Sequence, residues 1–118
     1  MSFWSEISGD VTDEIRNGYP KGPITEGGAL LRLLREYPNL YGDISAGSGY
    51  NALTRDADLG YSFLEEFQDK LLFGTDIASP KNDHRHAEFL RNVLKNKKIS
   101  EAAFEKISWR NTSRILEL

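Results

Sequence analysis

The run Leu71-Leu72-Phe73-Gly74-Thr75-Asp76 constrains the fold more than any other stretch of this 118-residue chain. A short apolar segment that stops at a glycine, a threonine and one carboxylate reads as a strand buried on both faces, the kind found in parallel sheets. Ligands and chemistry collect at the carboxyl ends of such strands. Asp76 is therefore the first candidate functional residue, as a metal ligand or proton acceptor. The competing reading makes it a cap for the following turn, a common use of aspartate at loop starts.

The flanking sequence alternates helix and strand, as parallel α/β units require. From about Glu26 to Tyr37, Leu30, Leu33, Leu34 and Tyr37 recur at helical spacing, with Arg32, Arg35 and Glu36 opposite. Pro38 ends that helix, because the residue before proline is pushed out of the helical region. Leu40 to Ser45 reads as a strand, and Ala46-Gly47-Ser48-Gly49 as a flexible link. A second helical region runs from about Asn51 to Gln68, with a break expected at Gly60 and an apolar face of Phe63, Leu64 and Phe67. After the strand 71–75 and the loop Ile77–Asp83, a third helix spans about His84 to Lys95. Ser100 is a suitable N-cap for a fourth, with Phe104 and Ile107 inward. A last helix is expected from Trp109 to Leu118, with Asn111 near its start and Ile115 and Leu116 packing.

Residues 1–28 are punctuated by glycine and proline and read as irregular, with a short helix at 10–17 capped by Asp10. A loop of that length is functional, disordered or misassigned as a loop, or it normally lies on a neighbour that has been removed. Only two strands are legible, and two parallel strands leave two unpaired edges.

Composition excludes several classes. A net charge of −3 gives none of the concentrated basic surface that phosphate backbones require, so no nucleic-acid partner is expected. The absence of cysteine removes disulfides, thiolate metal sites and cysteine nucleophiles. No apolar run approaches the ~20 residues needed to cross a bilayer, and the start lacks a signal-peptide pattern. A cytoplasmic protein without a membrane partner is the expectation.

His84-Arg85-His86 has the look of a metal motif, but helical residues two apart point about 200° from each other. An exposed helix start is the preferred reading. Ser48, Asn51 and Arg55 follow the first strand and are candidates for touching an anionic substrate, since arginine suits carboxylates. Equally, Arg55 pairs with Asp56 or Asp58. Gly47-Ser48-Gly49 is too short for a phosphate-cradling loop. Glu65 and Glu66 read as solvent-facing, and Trp4 and Trp109 as packing residues.

Taken together, Pro38-Asn39-Leu40-Tyr41-Gly42-Asp43-Ile44-Ser45 resembles the seventh strand of the metal-dependent amidohydrolase superfamily. The branch it resembles contains aminocarboxymuconate-semialdehyde decarboxylase. Leu72-Phe73-Gly74-Thr75-Asp76 is similar to the eighth strand, and Ile99-Ser100-Glu101 with Ile107-Ser108-Trp109-Arg110-Asn111 is similar to the closing helices. Phe3-Trp4 resembles the loop after strand six. The resemblance implies an α/β fold over 1–118 that is the C-terminal part of a (β/α)8 TIM barrel, about strands 7 and 8, incomplete as a barrel. It implies a hydrolase, or a decarboxylase, using a metal-activated water on a small organic substrate. The divalent ion would be zinc, and Asp76 would be both metal ligand and catalytic residue. The family's His-x-His and its further metal-binding histidines have no counterpart here, so the expectation is a truncated product or part of a longer reading frame, inactive alone. The alternative is a non-catalytic interaction module that forms homo-oligomers through exposed strand edges.

Overall fold

The computed structural model describes residues 2–82 and 85–118. In chain order the elements are α1 (Ser2–Ser5), α2 (Ala29–Glu36), β1 (Gly42–Asp43), α3 (Ala46–Thr54), α4 (Ala57–Glu66), β2 (Leu71–Leu72), α5 (Arg85–Lys95), α6 (Glu101–Glu105), a π-turn (Lys106–Arg110) and α7 (Asn111–Ile115). β1 and β2 pair in parallel, with Gly42 opposite Leu71 and Asp43 opposite Leu72. The Gly42 N–H donates to the Lys70 carbonyl at 2.9 Å and the Ile44 N–H to that of Leu72 at 3.0 Å. The expected α/β alternation is present as a mixed fold of helices around this small parallel sheet. The ladder is much shorter than the strands expected over 40–45 and 71–75.

The core explains why the pair is stable. Ile44, just after β1, and Leu71 of β2 meet Leu30 and Leu34 of α2, Leu53 of α3, Phe63 and Leu64 of α4, and Leu90 of α5, all essentially inaccessible. Each such side chain contributes roughly 1.5–3 kcal/mol by leaving water. Ile107 adds to the same cluster from the π-turn, and Phe104 packs against it.

Several boundaries differ from those the pattern suggests. Residues 46–49 are the first turn of α3 rather than a flexible link. The long helical region breaks at Arg55-Asp56, not at Gly60: Asp56 is extended (φ −139°) and its carboxylate accepts from the Leu59 N–H. Gly60 lies inside α4, where a Cβ would sit 2.1 Å from the Leu53 carbonyl oxygen. Its role is to let α3 and α4 touch backbone to backbone. Residues 10–17 form turns, not a capped helix, and Asp10 instead accepts from the Ser8 hydroxyl at 2.5 Å.

The N-terminal segment is laid on the chain's own core. Trp4, Ile7 and Ser8 are buried. The Glu6 carbonyl accepts from the Leu30 N–H at 2.9 Å and so satisfies one of the donors left open at the start of α2. The Ser8 hydroxyl accepts from Thr25 N–H at 2.8 Å. Gly28 is required there, since a Cβ would fall 2.3 Å from the Ile7 carbonyl oxygen.

At the other end, Ser100 caps α6 as expected, its hydroxyl accepting from the Ala103 N–H. The same hydroxyl and its N–H both donate to Glu65, at 2.8 and 2.9 Å. Glu65 therefore ties α4 to α6 instead of facing water, and these bonds hold its carboxyl below the ordinary value of 4.5. Glu66 pairs with Arg35 at 2.6 Å on the surface. Trp109, Ile115 and Leu116 were expected to pack, but all three are exposed. Trp109 lies within the π-turn, and Ile115 and Leu116 come at the end of the chain beyond it.

Candidate functional site

Both strands run toward the same rim, where their loops open a cavity of about 410 Å³. Asp76 lines it, as do Ala46, Tyr50, Thr75 and His86. Asp76 follows β2 by four positions and is exposed, with a left-handed backbone (φ 56°). Ala46, entering α3 from β1, is also left-handed (φ 61°). Such conformations cost a non-glycine residue about 1–2 kcal/mol, and two of them flank one rim. Asp43 ends β1 beside them, its carboxylate accepting from the Ser45 N–H at 2.9 Å. Gly74 passes so close that a Cβ would meet Asp43 Oδ1 at 2.9 Å.

His86 departs from the exposed position that the start of a polar helix suggests. It is buried rather than exposed, and Nε2 lies 2.8 Å from the Ala46 carbonyl oxygen. A carbonyl only accepts, so Nε2 donates in this contact. Nδ1 is buried and has no partner among the described residues. Tyr50 packs edge-on against the ring at 5.6 Å. The signal was present: His86, Leu90 and Val93 share one helical stripe, and all three are buried on α5. His84, the other half of the sequence pair, lies outside the described residues.

The three substrate-binding candidates sit apart from this cavity. Arg55 donates from Nε to the Gly22 carbonyl at 2.9 Å and from Nη2 to those of Lys21 and Pro23 at 3.1 Å each. It pairs with neither Asp56 nor Asp58 through these nitrogens. Asn51 donates to the Pro20 carbonyl at 2.9 Å and accepts from Lys21 Nζ at 2.6 Å. Ser48 lines a crevice of about 10 Å³ beside Trp4 and Tyr19, no larger than one water needs. Asn51 and Arg55 thus fasten segment 20–23 to α3. Tyr19 bridges the two places, lining both the crevice and the Asp76 cavity.

For a divalent ion, the rim supplies one carboxylate at Asp76 and one unpartnered imidazole nitrogen, Nδ1 of His86. No group of three or more His, Asp or Glu side chains able to hold a metal occurs among the described residues. A zinc site normally takes three protein ligands and a water, so these residues do not by themselves make a complete site. Nor is any helix among the described residues long and apolar enough to cross a membrane.

A family model described as Amidohydrolase matches residues 24–118. The chain belongs to the amidohydrolase family. Neither curated proteins nor solved structures give a match. The matched region begins after the N-terminal segment and takes in both strands, the rim and every helix from α2 onward.

Proposed function

We propose that the chain contributes the closing strand–helix units of a TIM-barrel hydrolase, with Asp76 as the carboxylate that faces a divalent metal, zinc in the first instance. The observation that carries this reading is the parallel register of β1 and β2, which puts the residues after both strands on one rim, in a chain of the amidohydrolase family. That rim is where barrel enzymes keep their chemistry. A bound zinc ion would supply a water of lowered pKa. Asp76 would orient that water and accept its proton, acting on a small organic substrate. With the ligand set incomplete, the chain alone is expected to be inactive. Ser48, Asn51 and Arg55 would meet an anionic substrate only after segment 20–23 had left them.

Manganese(II) titration followed by amide NMR tests the reading, since paramagnetic broadening detects even a weak site. Broadening should centre on Thr75, Asp76 and Ile77 and vanish in Asp76→Asn. Broadening centred elsewhere, or unchanged in that variant, would remove Asp76 from the metal.

A further inference from the structure

A two-stranded parallel sheet has two outer edges, and the chain's own groups occupy both. In β1 the Gly42 and Ile44 N–H groups point to β2, so Asp43 between them turns outward. Its carbonyl accepts from the indole Nε1 of Trp4 at 3.0 Å. On the far side, Leu71 of β2 and Phe73, just beyond it, are the outward residues. The Leu71 carbonyl accepts from Asn111 Nδ2 at 2.8 Å, and the second hydrogen of that amide reaches the Gln68 carbonyl at 2.7 Å. The Phe73 N–H donates to the Ile107 carbonyl at 3.0 Å.

That last bond explains the π-turn. In an α-helix the Asn111 N–H would bond the Ile107 carbonyl, four residues back. Here it reaches five residues back, to Lys106. The Ile107 carbonyl is thereby released from the helix and turned to the strand. Trp4, Ile107 and Asn111 are all buried, at 5%, 0% and 2% exposure, so they are built into the core and not draped over it.

We infer that Trp4 on one side and Ile107 with Asn111 on the other stand in for neighbouring strands. The chain closes its sheet in cis and offers no edge to a second copy. An open parallel edge templates pairing with other chains, and these three residues remove it. The inference is independent of any role for Asp76. It bears on the barrel instead: strands added on both sides would need Trp4 and the Ile107 carbonyl to leave their present partners.

Amide hydrogen exchange on the 118-residue chain, measured from about 20 µM to about 1 mM, tests it at Asp43 and Phe73, the outward amides. The expected result is a Phe73 amide already protected at the lowest concentration, with no change at either amide as concentration rises. Trp4→Phe or Asn111→Leu should then gain concentration-dependent protection at the edge each one opens. Wild-type protection that grows with concentration overturns the inference, as do folded variants that show no such gain. Where neither variant folds, the wild type decides: a freely exchanging Phe73 amide overturns the closure, and a protected one upholds it.

Discussion

The indole nitrogen of Trp4 donates to the carbonyl oxygen of Asp43 across 39 residues of sequence, at 3.0 Å. The N-terminal segment is thereby attached to the strand that feeds the rim. Trp4 also packs edge-on against Phe63 at 6.0 Å. Trp4→Phe should keep the packing and lose one hydrogen bond, costing about 1 kcal/mol. Trp4→Ala should cost about 3–5 kcal/mol through the cavity it leaves. Urea denaturation of the two variants separates these contributions.

Asn111 fastens two carbonyls with one amide. Asn111→Leu leaves both without that donor, and each abandoned buried carbonyl costs roughly 1–3 kcal/mol. Asn111→Asp is expected to be worse than leucine at neutral pH, because a carboxylate would then face two carbonyl oxygens. Should aspartate prove the milder change in thermal unfolding, the hydrogen bonds are not what Asn111 contributes.

Glu65 makes stability depend on pH. Its carboxyl is held below 4.5 in the folded chain, chiefly by the Ser100 N–H and hydroxyl. A depressed folded value means that the carboxylate's contribution is complete above the ordinary value and is lost as pH falls through the folded one. Denaturation midpoints of wild type and Glu65→Gln should therefore differ most at neutral pH and converge as pH falls through the depressed folded value. A gap that persists at low pH would argue against the carboxylate.

Gly60 has no room for a methyl group against the Leu53 carbonyl. Gly60→Ala, which improves helix propensity by about 1 kcal/mol on an exposed helix, should here destabilise by about 1–3 kcal/mol through overpacking of α3 on α4. An increase in melting temperature would show that the two helices can separate cheaply.

Asp76 is kept in a left-handed conformation that glycine adopts without strain. Asp76→Gly should therefore leave stability equal or raise it by up to about 1 kcal/mol, while removing the carboxylate from the rim. A clear loss of stability would instead assign Asp76 a structural duty in the turn that it opens.

Much of this architecture is written locally. The apolar residues of α2 and of α5 from Leu90 onward repeat at helical spacing, Ser100 caps α6, and Leu71-Leu72 ends on a carboxylate at the rim, because periodicity and capping chemistry act within a few residues. What only the tertiary structure decides involves long-range partners. His86 becomes buried because the Ala46 carbonyl awaits it 40 residues away, and Arg55 turns to segment 20–23 because three carbonyls converge there. The helix that begins at Ser100 widens at Lys106–Arg110 because β2 needs an acceptor for Phe73. No local pattern encodes those choices: each is made when a polar group, removed from water, must find a partner elsewhere in the fold.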